Sequence, residues 1–180
     1  MSLGEDGIIA GARYAPSPNC DDRPEGVTTS LLVVHAISLP PGRFGGDEVE
    51  RLFTNRLDPF ADLYFEAISE LRVSAHFFIR RSGALVQFVP VSRRAWHAGL
   101  SVWRGRSRCN DFSIGVELEG ADDGPYELAQ YRQLASLVRT LQTCLPLTDL
   151  AAHSDIAPTR KTDPGALFDW QLCLSLLARD

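Results

Sequence analysis

The sequence lacks paired cysteines, long apolar runs and any surplus of basic charge, and each absence removes a class of protein. Cys20, Cys109, Cys144 and Cys173 stand far apart with no C-x-x-C among them. That argues against a structural zinc knuckle and offers no disulfide framework, while unpaired thiols fit a reducing compartment. No stretch approaches the roughly 20 apolar residues that span a bilayer, so no membrane partner is expected. The opening Met1-Ser2-Leu3-Gly4-Glu5-Asp6 has neither the basic start nor the apolar stretch of a secretory leader, and a cytoplasmic protein is the expectation. A net charge of −5 argues against nucleic acid as the main partner, since phosphate binding needs a basic face. Internal repeats, low-complexity tracts and linkers are missing too. The 180 residues therefore read as one domain over 1–180, with a core from about 14 to 178 and a monomer expected.

What is present alternates strand and helix signals. Leu31 to Leu39 is apolar on both faces and rich in β-branched residues, the pattern of a buried central strand. Pro40-Pro41-Gly42 ends it, and Asp47-Glu48-Val49-Glu50 has the cap-plus-acid pattern of a helix start. A second helix is expected over about Leu63 to Leu71. Ser74–Ile79 and Ala84–Val89 read as strands joined by the hairpin signal Arg80-Arg81-Ser82-Gly83. Ser92 to Asp111 reads as irregular. Ser113 to Glu119 alternates, with Ile114, Val116 and Leu118 on one face and Gly115, Glu117 and Glu119 on the other. Glu127 to Cys144 carries apolar residues at helical spacing, and Ala166 to Ala178 reads as a closing helix. The order β-α-α-β-β-β-α-β-α implies a mixed α/β fold, a single domain whose central sheet is flanked by helices.

Two places concentrate chemistry. The segment from His153 to Gly165 holds a histidine, a lysine and the acids Asp155 and Asp163 in a loop stiffened by Pro158 and Pro164. Far upstream, His35 interrupts an apolar run at the C-terminal end of its strand, where α/β sheets bind ligands. Two histidines and one carboxylate would form a zinc site with the fourth position open to water, the catalytic pattern. Each residue also has a plainer reading. His35 alone would be a satisfied core histidine, His153 and Asp163 a solvated loop and a helix cap, and spacing does not choose between Asp155 and Asp163. Glu117 is either an exposed acid or a general base beside the metal, with Glu119 its decoy on the same face. Lys161 is a solvated lysine or a fixed cation for a developing oxyanion. His76 reads as a core residue, or one that backs the ligands, rather than as a ligand. His97 stands in an aromatic and basic loop suited to a sugar or an acidic peptide, and Trp96 is either a flat face for a sugar ring or a core tryptophan. Arg72 and Arg108 could pair a substrate carboxylate or a surface aspartate.

Together these residues resemble the AmpD-type N-acetylmuramoyl-L-alanine amidases, cytoplasmic zinc enzymes that recycle peptidoglycan fragments and share a fold with peptidoglycan-recognition proteins and T7-type lysozyme. The resemblance runs from Pro16-Ser17-Pro18-Asn19 to Phe168-Asp169-Trp170. It is strongest at Ser30–His35, Ile37–Gly42, Arg72–His76, Arg94–Gly99, Cys109–Gly120 and His153–Gly165. It implies zinc held by His35, His153 and Asp163, with Glu117 as acid/base and Lys161 as transition-state cation. It implies cleavage of the amide between the lactyl group of anhydro-N-acetylmuramic acid and L-alanine of the stem peptide. One departure stands out: the family pattern leads to asparagine after the first histidine, and Ala36 is there instead. Substrate positioning is where that change should act. The rival expectations are a muropeptide-binding sensor without catalysis and a zinc peptidase cutting within the stem peptide.

Overall fold

The computed structural model describes residues 1–178, and the last two positions of the domain expected over 1–180 lie outside the described residues. The chain runs β1 (Arg13–Tyr14), β2 (Cys20–Asp22), β3 (Leu31–Ile37), α1 (Glu48–Phe53), α2 (Leu63–Ile68), β4 (Phe77–Ile79), β5 (Leu85–Gln87) and β6 (Arg93–Ala95). It continues through β7 (Val102–Trp103), β8 (Arg106–Ser107), a 3₁₀ turn at Cys109–Asp111, β9 (Ser113–Glu119), α3 (Leu128–Gln142), β10 (Asp149–Ala152), α4 (His153–Ile156) and α5 (Trp170–Leu177). The main sheet has the order β1-β5-β4-β9-β3-β10. Strands β4, β9, β3 and β10 are mutually parallel, β5 returns antiparallel to β4, and β1 lies parallel to β5. The fold is a mixed α/β single domain, as expected.

Alternation along the two longest strands decides what each face of the sheet does. Leu32, Val34, Ile114, Val116 and Leu118 face one way and pack against Leu134, Leu137 and Leu141 of α3 and Cys173 of α5. The opposite face of β3 and β9 presents His35 and Glu117, flanked by two smaller apolar clusters. One gathers Phe78 and Phe88 with Leu52 and Phe53 of α1, and the other joins Val33 to Ala98, Phe112 and Ile156. Apolar packing thus surrounds a polar patch at the C-terminal ends of the parallel strands, where helix dipoles and loops converge in such sheets.

Several elements differ from their sequence expectation for local reasons. The closing helix begins at Trp170 rather than Ala166, because the Asp169 side chain caps it by accepting from the Leu172 N–H at 2.8 Å. The strand expected from Ser74 is ordered only over Phe77–Ile79. Ser74 instead donates its hydroxyl to Asn19 O at 2.6 Å and its N–H to Trp96 O at 3.1 Å. The region read as irregular contains β6, β7 and β8, whose two or three residues carry no readable period.

His76 is fully buried behind the site, a core residue as read from sequence. Its Nδ1 accepts from the Gly115 N–H at 3.0 Å, and its Nε2 lies 3.0 Å from Arg93 O and 3.1 Å from Arg23 Nη2. Burial, reinforced by the Arg23 charge, pushes the imidazole down to about 3 from 6.5. A depressed histidine gives stability that is complete above the unfolded value and is lost as pH falls toward the folded one. Metal-free protein should therefore lose roughly 2 kcal/mol of unfolding free energy to His76 alone between about pH 6.5 and 5. Urea unfolding of chelated protein at several pH values measures this. His76→Gln should flatten the slope by that amount, and parallel slopes would show that His76 titrates as an ordinary histidine.

Candidate metal centre and active site

Strand register assembles the site. His35 of β3 is the partner of Glu117 of β9, and Val34 is the partner of Ala152, the last residue of β10. His153, the first residue of α4, follows immediately, so it comes beside Glu117 and His35 at the end of the strand next to β3. Asp163 arrives on the loop after α4. That loop is pinned where Asp163 O accepts from the Ser154 N–H at 3.0 Å and Pro164 O accepts from the Tyr126 hydroxyl at 2.7 Å. Gly165, at φ 84°, lies so close to Asp122 that a Cβ there would meet the Asp122 carbonyl oxygen at 2.0 Å, so only glycine closes this turn.

Three donor atoms aim at one point. His35 Nδ1 and His153 Nδ1 are 2.8 Å apart, and Asp163 Oδ2 is 3.0 Å from the second and 3.4 Å from the first. Donors of a tetrahedral zinc ion with bonds of roughly 2.0–2.1 Å stand roughly 3.3 Å from one another, close to this triangle. All three residues are buried. Burial pushes the His35 imidazole down to about 4, against the pull of Asp163, so it stays neutral and keeps a lone pair to offer. Burial also works against ionised Asp163, but hydrogen bonds with His153 and His35 outweigh it and hold the carboxyl well below the usual carboxylate range. Two imidazole nitrogens and one carboxylate are a donor set that fits a divalent cation. The three residues form a possible metal site.

The outer nitrogens of the two histidines meet consecutive residues of one loop. His35 Nε2 lies 2.8 Å from His97 Nδ1, and His153 Nε2 lies 3.4 Å from Ala98 O. The Asn110 side chain holds that loop, its Oδ1 accepting from the N–H groups of His97 and Ala98 at 3.1 and 2.8 Å. Arg160 also donates to Ala98 O, at 2.7 Å.

The acids separate cleanly by what they touch. Glu117 is buried, and its Oε2 has no hydrogen-bond partner among the described residues. Burial, and then the charge of Asp163, raise its carboxyl well above the usual value while Lys161 pulls the other way. Glu119 is committed to structure, accepting from the Gly45 N–H at 2.6 Å and the Arg81 N–H at 2.9 Å. Asp155 is exposed and accepts from the Ala152 N–H at 2.8 Å, so it caps α4 rather than joining the donor triangle. The Lys161 ammonium faces the same cavity as Glu117 and makes no hydrogen bond or ion pair among the described residues.

That cavity, of about 540 Å³, has His153, Asp163 and Glu117 in its wall beside an apolar side that includes Leu39, Phe53, Val73 and Trp96. Ala36 borders it too, and its N–H lies 3.4 Å from Asp163 Oδ2. The remaining sequence candidates are placed differently. His97 touches the cavity, but both its nitrogens are engaged, one by His35 and the other by Ser113 Oγ at 3.1 Å. Its first contacts are therefore inside the protein rather than with a sugar. Arg72 is exposed between the cavity-lining Leu71 and Val73 and donates to Ser69 O at 3.3 Å. Arg108 pairs with Asp111 at 3.1 Å and borders a separate cavity beside β7 and β8, so the structure does not bring it to the donor triangle. Sequence reading passed over Ala98, Asn110 and Ser113. Two of these act through a carbonyl or a small hydroxyl, which no spacing reveals.

With this geometry in hand, the relatives are informative. Residues 25–166 match the N-acetylmuramoyl-L-alanine amidase family. The 1,6-anhydro-N-acetylmuramyl-L-alanine amidase AmpD of Escherichia coli (strain K12) is 54% identical over 180 residues, which is 99% of this chain and 98% of that protein. The crystal structure of a Se-Met AmpD derivative matches with a TM-score of 0.96 at 54% identity, over 98% of this chain and 99% of that one. The E. coli amidase AmiD, solved in complex with the substrate anhydro-N-acetylmuramic acid-L-Ala-D-gamma-Glu-L-Lys, matches with a TM-score of 0.62 at 29% identity, over 86% of this chain and 60% of that one. The donor triangle and the lone glutamate thus sit in a chain that belongs to the N-acetylmuramoyl-L-alanine amidase family.

Proposed function

We propose that this chain is a zinc-dependent amidase of peptidoglycan recycling. It cleaves the bond between the lactyl group of anhydro-N-acetylmuramic acid and L-alanine of the stem peptide. The observation that carries the reading is the convergence of His35 Nδ1, His153 Nδ1 and Asp163 Oδ2 in a site that also holds a buried Glu117 oxygen without a hydrogen-bond partner among the described residues. The anhydro-muramyl specificity in the names of the full-length relatives supports the substrate class. Four unpaired cysteines agree with a cytoplasmic setting. No helix among the described residues is long and apolar enough to cross a membrane.

His35, His153 and Asp163 would hold the metal, and zinc, when bound, supplies Lewis acidity that polarises a carbonyl and acidifies water. Glu117 does the proton work. Its unpartnered Oε2 accepts a proton from the attacking water and returns it to the alanine nitrogen as the amide breaks. Lys161, the free cation of the cavity, stabilises negative charge growing on the lactyl oxygen. Trp96 offers its flat face to the sugar, and Arg72 on the rim is in reach of stem-peptide carboxylates. A sensor without catalysis would have no use for a buried glutamate oxygen left without a partner, since such a group costs stability unless it works.

Mass spectrometry of products from anhydro-muramyl tripeptide, with a chelated control, tests the reading. Free anhydro-muramic acid plus intact tripeptide, lost on chelation, is the expected result. Sugar that keeps its alanine would move the assignment to a peptidase, and uncut substrate from zinc-loaded protein would move it to a sensor.

A further inference from the structure

Behind His35 runs a chain of hydrogen bonds that leaves little choice about where each proton sits. Ser113 Oγ lies 2.6 Å from Cys109 O, which can only accept, so the hydroxyl must donate there. The same Oγ is then an acceptor for the group 3.1 Å away, His97 Nε2. His97 therefore carries its proton on Nε2, and in the neutral ring its Nδ1 is bare. That bare nitrogen faces His35 Nε2 at 2.8 Å, and two lone pairs at that distance repel. His35 must carry its proton on Nε2, which leaves the Nδ1 lone pair free and directed at His153 and Asp163. One carbonyl at the back of the site thus dictates, through two side chains, the tautomer of a donor.

We propose that His97, backed by Ser113, is a positioning residue that fixes His35 as the Nε2–H tautomer and so presents Nδ1 to a metal ion. The inference rests on the proposed metal site and deepens it. Packing prepares the arrangement. Gly115 leaves the space that the His97 ring fills, since a Cβ at Gly115 would stand 2.4 Å from His97 Cγ. His97 is also fastened from its backbone by Asn110. The chain ends on a backbone carbonyl, the one acceptor that mutation or pH leaves in place. Partners of this kind behind metal-bound histidines typically carry a factor of 10–100 in affinity.

Two substitutions of nearly equal shape separate hydrogen bonding from packing. His97→Asn places an amide oxygen about where Nδ1 was and still accepts from His35, whereas His97→Leu fills similar space and accepts nothing. Zinc affinity, measured by competition with a chromophoric chelator, should fall roughly 10–100-fold in His97→Leu and stay within about threefold of wild type in His97→Asn. Ser113→Ala, which removes one buried oxygen, should weaken zinc severalfold and serves if either His97 variant fails to fold. The ring ¹⁵N shifts of His35 in metal-free protein give a second readout that needs no zinc. Wild type and His97→Asn should show the Nε2–H form, and His97→Leu a mixture. Equal zinc affinity and equal His35 shifts in the Leu and Asn variants would overturn the inference while leaving the amidase reading intact. Wild-type protein that takes up no zinc would instead overturn the metal reading, and the ¹⁵N shifts alone would then decide whether His97 sets the tautomer.

Discussion

Glu117→Gln should lower kcat by about 10³–10⁴-fold, near the upper end of what one positioned acid/base contributes, while zinc content stays at the wild-type level. Glutamine has the shape of a protonated glutamate and cannot take a proton from water, so the change removes chemistry without removing volume. Metal should be unaffected because Glu117 is not among the atoms of the donor triangle. Stability should hold or rise, since an acid whose carboxyl is raised by burial and by Asp163 is more comfortable neutral in the fold. The pH profile carries the sign. The carboxylate is the working form and its pKa is raised, so activity should fall as pH drops through that value, higher on the scale than for an ordinary glutamate. A bound dication would offset the Asp163 charge, but burial, the larger cause, would remain. In Glu117→Gln the residual activity should lose this acid limb. Activity within tenfold of wild type would remove Glu117 from the chemistry, whatever the zinc content.

How far such a site can be read from sequence is visible in its parts. The continuous apolar run of Leu31–Leu39, the mark of a strand buried on both faces, and the alternation of Ser113–Glu119 place His35 and Glu117 on strands. The strands' adjacency, which puts the two residues in register, had no such signature, since parallel neighbours are far apart in the chain. Asp155 and Asp163 looked alike by spacing. Folding separates them, because Asp155 spends its carboxylate on the Ala152 N–H and Asp163 spends its own on two imidazoles. Glu119 differs from Glu117 for the same reason, through the N–H groups of Gly45 and Arg81. His97 was read toward a sugar because its neighbours are aromatic and basic. Its true contacts come from Ser113 and His35, residues 16 and 62 positions away, and no local pattern encodes them.

His153→Ala should abolish stoichiometric zinc binding and activity together. A protein site that loses one ligand gives up roughly 2.5–4 kcal/mol of metal affinity if four-ligand structural sites of about 10–16 kcal/mol divide evenly over their ligands, or about 10²–10³-fold in Kd. The measurable consequence extends to stability. A metal that binds only the folded chain adds roughly 4 kcal/mol when it is at 1,000 times its Kd, so zinc should raise the Tm of wild-type protein and leave that of His153→Ala unchanged. The metal-free variant should still fold, because the apolar cluster of Val33, Ala98, Phe112 and Ile156 keeps its own members. It should be weakened mainly through Asp163, whose ionised form loses its nearest hydrogen bond, at 3.0 Å. Asp155→Ala is the matched control from the same loop. It removes the cap of α4, which costs about 1 kcal/mol, and should keep both zinc and turnover. Retained zinc in His153→Ala, or zinc lost in Asp155→Ala, would redraw the ligand set. The contrast between the two variants turns on side-chain direction alone, since both residues lie on the same short helix.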